Sequence, residues 1–255
     1  MLKSPICYFG GKHYLREDIK KRIPEHKCYC EPFFGSGAVF FSKDPSPYDI
    51  VNDIYDDLIT FFQIVKTCPE VLISELQYEL YSRKKFLEYK RDLEENRENL
   101  TPVQRAIRVY YILKASYGGQ GKNFKVMAKV KPSLLPKDLK TTIMDAHERL
   151  RTTIIENRDY SLVIDSTDRP YTFFFLDPPY DVPGARSYIK SFQKDDFLRL
   201  KKKCDCIQGK FLLTINDNPF IQDLFKGFKI EKVPVRYAVT RGEKKKFHEL
   251  FITNY

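Results

Sequence analysis

No stretch of this chain reaches the roughly 18 consecutive apolar residues that a membrane-spanning helix needs, so no membrane association is expected. The opening, MLKSPICYFGGK, lacks the apolar centre of a secretion signal, and the expected compartment is the cytoplasm. The six cysteines, Cys7, Cys28, Cys30, Cys68, Cys204 and Cys206, include no C-x2-C pair. Two C-x-C pairs could in principle make a four-thiolate zinc site. Cys28 and Cys30, however, fall in an apparent strand, where residues two apart share a face. Buried free thiols are the plainer reading, and no metal is expected. The chain also lacks the third glycine of G-x-G-x-x-G and any G-K-S/T, so a phosphate cradle has no support.

What is present begins with size and charge. At 255 residues the chain can bury a full core, as one large α/β domain or as one domain with an insertion. Lysine and arginine number 44 against 34 acidic residues, a formal net charge of +10. Such a surplus favours a polyanionic partner.

The organising stretch is FFFLDPPY, Phe173 to Tyr180. Four apolar residues in a row predict a strand buried on both faces of a parallel sheet. Pro178 and Pro179 cannot donate to a ladder and fix a stiff turn at its carboxyl end. Ligands sit at that edge in open α/β sheets. Asp177, the Pro178 carbonyl and the Tyr180 ring are therefore placed together where chemistry is expected. An exocyclic amine on a flat base suits this trio: two oxygens accept its hydrogens and the ring stacks on the base. The competing reading is a plain strand-to-loop turn whose Asp caps a helix and whose Tyr covers the core.

Upstream, Tyr8-Phe9-Gly10-Gly11-Lys12 lets the backbone approach a ligand and brings a cation, although an ordinary turn with a solvated lysine satisfies the same five residues. A helix is predicted from Leu15 to Arg22. CYCEPFFGSGAVFF predicts a short strand, a turn at Gly35-Ser36-Gly37 and a helix, the layout of a nucleotide-binding turn with room for a neutral adenosine. Asp53 follows a second apparent strand, where an acid can take both hydroxyls of a ribose. Asp56 and Asp57 read as first-turn charges of the next helix.

From 59 to 151 the pattern turns helical. Ile59, Phe62 and Val65, then Val71, Ser74, Leu76 and Leu80, recur at helical spacing. Lys84 to Glu98 mixes both signs and reads as a solvated helix face. Pro102 starts a helix that buries Ile107, Tyr110, Tyr111 and Leu113. SYGGQGKNFKVMAKVKPS then predicts a hairpin near 117–130, with Phe124, Val126 and Val130 alternating. Gln120, Lys122, Asn123 and Lys125 at its tip can reach base edges or phosphates, or the loop is simply basic and flexible.

Strand–helix alternation resumes at 152. Ile154 and Ile155 form a strand, and Tyr160 beyond it can lie on an adenine ring or complete the core. After DPPY, the Gly- and Pro-containing DVPGARSYIKSF is expected to be a loop over the site. Two final strands flank TRGEKKKF, whose Arg241, Lys244, Lys245 and Lys246 are placed to hold phosphates or to solubilise a turn.

Laid out in this order, the chain resembles the Dam-type DNA adenine-N6 methyltransferases, the DPPY or alpha group. The likeness runs end to end: an aromatic-x-G-G-K opening, EPF-x-G-x-G, an N-D-I strand end, a helical insert, DPPY and an E-L-x-I-T-N-Y terminus. The resemblance implies a Rossmann-like S-adenosylmethionine-dependent methyltransferase fold. Its mixed seven-stranded sheet would span 1–58 and 152–255, with a mainly helical target-recognition insert at 59–151. It implies that Tyr8, Lys12, Phe33, Gly35 and Gly37 hold the cofactor, that Asp53 takes its ribose and that Tyr160 lies on its adenine. Asp177, touching cofactor and target base, would complete the target pocket with Pro178 and Tyr180. Duplex DNA is the implied partner, with contacts from Gln120, Lys122, Asn123, Arg241, Lys244 and Lys246. A cognate restriction endonuclease can accompany such an enzyme without physical contact. Members that read GATC carry an arginine in the hairpin. Here SYGGQGKNFKV offers Lys122 and Gln120 instead, so the recognition sequence does not follow from the likeness.

Three alternatives stand beside it. An inactive DNA-binding descendant would have no reason to keep DPPY intact. Enzymes methylating amines of RNA or protein typically carry Asn before the prolines, and cytosine-N4 enzymes often Ser.

Overall fold

The computed structural model describes residues 2–8, 10–126, 138–179, 192–235 and 247–255. Helix α1 (Arg16–Lys20) leads into strands β1 (Cys28–Glu31) and β2 (Tyr48–Asn52). Five helices follow: α2 (Asp56–Thr67), α3 (Pro69–Leu76), α4 (Arg83–Glu95), α5 (Pro102–Lys114) and α6 (Leu139–Leu150). Then come β3 (Ile154–Glu156), α7 (Tyr160–Thr167), β4 (Thr172–Leu176), α8 (Lys194–Cys206), β5 (Lys210–Asn216), α9 (Pro219–Leu224), β6 (Lys229–Val235) and β7 (Phe247–Thr253). The strands form one seven-stranded sheet in the order β3-β2-β1-β4-β5-β7-β6. The first five are mutually parallel, and β7 runs antiparallel to both β5 and β6.

Sequence explains the placement. β1 and β4 are buried at every position, as central parallel strands must be. The pleat sends alternate residues to opposite faces. Phe173 and Phe175 enter one core with Tyr29, Val51, Leu212 and Phe251, while Phe174 and Leu176 enter the other with Cys30, Phe211, Leu213 and Ile252. The first core also receives α2, α5 and α6, and the second is roofed by α7, α8 and α9. β6, an edge strand among the described residues, alternates exposed and buried positions and carries Lys229, Glu231, Lys232 and Pro234, which discourage further pairing. Because β2 and β4 flank β1 on opposite sides, the strand order reverses at β1, and a crevice opens at its carboxyl end.

Two expectations differ from the structure. The segment after Gly37 forms successive turns rather than a regular helix, with Phe41 N donating to the Gly37 carbonyl and both Ser42 N and Lys43 N to that of Val39. Gly37 sits at φ 66° and Pro45 and Pro47 supply no N–H, so a helix has neither a regular start nor room to continue. In α3 the buried residues are Pro69, Leu72 and Leu76, whereas Val71 is exposed, as is Leu80. The helix presents one short face inward, and Leu80 already lies beyond its end. Elsewhere, α5 starts on a Thr101–Gln104 capping box with Pro102 in its first turn and buries Ile107, Tyr110, Tyr111 and Leu113. α4 buries only Phe86, leaving its charges in water.

Candidate active site

β4 delivers Asp177 to the carboxyl edge of the sheet, beside the crevice. Its Oδ1 lies 2.6 Å from Lys12 Nζ and accepts a 2.9 Å hydrogen bond from the Thr214 hydroxyl on β5. Oδ2 has no partner among the described residues. Lys12 is buried, and its ammonium also lies 3.8 Å from Glu249 Oε2, on β7 opposite Asn216. Burial pushes the Asp177 carboxyl up from its ordinary value; Lys12 opposes this and Glu249 adds to it. At the end of β1, burial pushes the Glu31 carboxyl up to about 8, against a 2.7 Å hydrogen bond from the Tyr29 hydroxyl, with the charge of Asp177 adding to the rise. Two carboxyl groups, those of Asp177 and Glu249, thus stand around the single Lys12 ammonium.

The opening segment and the glycine turn lie against each other. A Cβ on Gly11 would stand 2.8 Å from Ser36 Oγ and 3.1 Å from the Tyr8 carbonyl oxygen, and one on Gly35 would stand 3.7 Å from the Tyr8 ring. Gly35 and Gly37 take positive φ of 50° and 66°. The Ser36 hydroxyl is buried with no hydrogen-bond partner among the described residues, a polar atom facing an unfilled need. Asp53 is buried and works as a bracket. Its two oxygens accept from Gly35 N at 2.8 Å and Tyr55 N at 2.9 Å, fixing the turn to the start of α2. Asn52 ties Pro32 and Arg158 together, and Asn157 Nδ2 donates to the Asp53 carbonyl, so three strand ends are held in register.

Tyr160 opens α7, which Asp159 caps through Ser161 N. Its ring packs 5.0 Å from Phe33 and 5.7 Å from Phe192, with the Arg199 guanidinium 4.8 Å from its centroid. Its hydroxyl is buried without a partner among the described residues, and burial pushes its pKa up to about 12. Phe192 N donates to the Pro179 carbonyl at 2.9 Å.

The hairpin sits beside this site. Ser116 and Phe124 form an antiparallel bridge, and Gly121 N donates to Ser116 Oγ. A Cβ on Gly119 would stand 2.9 Å from the Cys7 carbonyl carbon, so the hairpin packs directly on the segment leading to Tyr8. Gln120 and Lys122 are half-buried and Asn123 is exposed. On the far side, Phe124 packs on Tyr81 and Phe86 and carries the exposed Arg83 guanidinium 5.3 Å from its centroid.

The structure therefore gathers Tyr8, Lys12, Phe33, Gly35, Gly37, Asp53, Tyr160, Asp177 and Pro178 around one crevice. Tyr180, Val130, Arg241, Lys244, Lys245 and Lys246, with the expected loop after DPPY, lie outside the described residues. Sequence reasoning passed over Glu31, Ser36, Thr214, Glu249 and Arg83. Glu31 and Glu249 were visible inside the motifs, but only folding shows that Asp177 and Glu249 share the surroundings of Lys12.

Known proteins were compared with this chain. The family described as D12 class N6 adenine-specific DNA methyltransferase matches residues 8–239. A type II methyltransferase of Lactococcus lactis subsp. cremoris is 28% identical, covering 96% of this chain and 93% of its own length. A type II methyltransferase of Methanocaldococcus jannaschii is also 28% identical, over 100% of this chain and 99% of its own. The DNA adenine methylase of Escherichia coli K12 is 24% identical, over 96% and 92%.

Proposed function

Because the chain belongs to the D12 class of N6 adenine-specific DNA methyltransferases and so methylates adenine in DNA, we propose that S-adenosylmethionine is its methyl donor and Asp177 its catalytic acceptor. The observation that carries this reading is the pinning of one Asp177 oxygen by Lys12 and Thr214, with the other left for a substrate.

The pocket suits such a donor on three counts. Two carboxyl groups, those of Asp177 and Glu249, stand around one ammonium, a lining that suits a cation. Ser36 offers a buried hydroxyl without a partner among the described residues, and Gly35, where a Cβ would meet only the Tyr8 ring at 3.7 Å, leaves room. Tyr8, Lys12, Phe33, Gly35 and Gly37 would hold the methionine part and Tyr160 with Phe33 the adenine. Asp53 would take the ribose hydroxyls, since each of its oxygens keeps a lone pair beyond the backbone bond it accepts. When bound, the donor supplies a methyl group already activated on a sulfonium.

The residues of the chain then have to align the nucleophile. The target adenine leaves the duplex at a cost of about a few kcal/mol, and Tyr180 stacks on it. Asp177 Oδ2 and the Pro178 carbonyl each accept one N6 hydrogen, drawing the nitrogen lone pair out of the ring. The surplus proton passes to water or to Asp177 as the N–C bond forms. Alignment of this kind contributes roughly 7–11 kcal/mol. Residues 59–151 serve as the recognition segment. Gln120, Lys122 and Asn123 reach the duplex, Arg83 adds a guanidinium beside the hairpin, and Arg241, Lys244 and Lys246 hold phosphates.

The test is transfer of tritiated methyl to mixed-sequence duplex DNA. Asp177→Ala is expected to abolish transfer while leaving duplex binding largely intact, and full activity in that variant refutes the assignment.

A further inference from the structure

We infer that Glu249 is a positioning residue for the methyl transfer, dividing the Lys12 ammonium between two carboxylates so that Asp177 remains a strong acceptor for the target amine. This inference rests on the reading of Asp177 above.

Topology makes the arrangement possible. The parallel strands present only their last residues at the crevice edge. β7 runs the other way, so Glu249 near its start arrives beside the ends of β4 and β5. It is 2% exposed, on the same face as Phe251, which enters the core. Burying a carboxylate costs several kcal/mol unless a partner compensates it. Lys12 stands between the two acids: its short contact, 2.6 Å, goes to Asp177, its Nζ also lies 3.4 Å from the Gly10 carbonyl, and Glu249 stands 3.8 Å away. At that distance Glu249 acts on the Lys12–Asp177 pair.

The direction of that action follows from charge. Among the described residues, Asp177 meets Lys12 from the opening segment, Thr214 from β5, Glu249 from β7 and Glu31 from β1. Lys12 lowers its proton affinity, and Glu249 restores part of it. Without the Glu249 charge the full field of Lys12 falls on Asp177. Its carboxylate becomes a weaker acceptor, and the nitrogen is drawn out of conjugation less well.

The experiment compares kcat against pH for wild type, Glu249→Gln, Glu249→Asp and Asp177→Ala, with thermal unfolding of each. Glu249→Gln is expected to lower kcat by roughly tenfold, part of what a charge-assisted hydrogen bond is worth, and to move the acid limb of the profile to lower pH. Glu249→Asp keeps the charge and should restore the limb. Glu249→Met carries the same expectation where the glutamine variant does not fold. A loss of activity with the limb unmoved marks a merely structural role and overturns the proposal. So does wild-type behaviour, or failure of both neutral variants to fold. An active Asp177→Ala sinks the Asp177 reading instead, whereas an inactive one with an unmoved limb sinks only the role of Glu249.

Discussion

Gly118 and Gly119 offer a matched pair of perturbations at the junction between hairpin and catalytic crevice. Both take left-handed backbone, φ 59° and 68°. An alanine at either position therefore incurs similar strain, roughly 1–2 kcal/mol. At about 2–4 °C per kcal/mol for a protein near this size, each should lower Tm by about 2–8 °C. Space separates them. A Cβ at 118 meets only the end of the Gln120 side chain, 4.0 Å away, whereas at 119 it stands 2.9 Å from the Cys7 carbonyl carbon and 3.2 Å from Tyr8 N. Ordinary carbon contact begins near 3.5 Å, so the hairpin must retreat by about 0.6 Å or more. Misplacement approaching 1 Å can cost on the order of a hundredfold in rate. Gly119→Ala should thus lose one to two orders of magnitude in methylation of duplex DNA, while Gly118→Ala stays within a few fold of wild type. Tm and initial rates, measured in parallel, decide the matter. Equal rates in the two variants would refute the claim that the hairpin is coupled to Tyr8 and Lys12 through this contact.

Three further outcomes are expected. Asp49, buried between Lys43 at 3.1 Å and Arg149 at 2.7 Å, holds α6 to the sheet; Asp49→Ala strands both cations, costs about 3–5 kcal/mol and lowers Tm by about 6–20 °C, so a drop under about 2 °C in calorimetry contradicts it. Glu31 keeps its proton in the fold up to about pH 8 but loses it near 4.5 when unfolded, so wild type loses stability as pH rises through that window. Glu31→Gln removes this loss, and its Tm relative to wild type should climb between pH 5 and 8; a constant difference counts against the buried carboxyl. Thr214→Val keeps the shape but deletes the hydroxyl on Asp177 Oδ1, and methylation should fall roughly ten- to hundredfold, with unchanged turnover as the contrary result.

The sequence by itself determined the layers of this protein and the contents of its crevice. A fully apolar FFFL run reads as a central strand, two prolines end it, and glycine pairs allow close approach. These are local constraints, set by backbone sterics and by the period of the pleat, and they put Gly35, Asp53 and Asp177 at strand ends, whereas Lys12 and Tyr160 were singled out by the family resemblance. Tertiary structure alone decided which of these groups touch. Lys12 meets Asp177 and Glu249 across most of the chain's length, Asp53 spends both oxygens on backbone N–H groups, and Arg83 comes to lie on Phe124 from another helix. Charge acts through space and not along the chain, so no spacing in the sequence encodes the balance of two carboxylates around one buried ammonium.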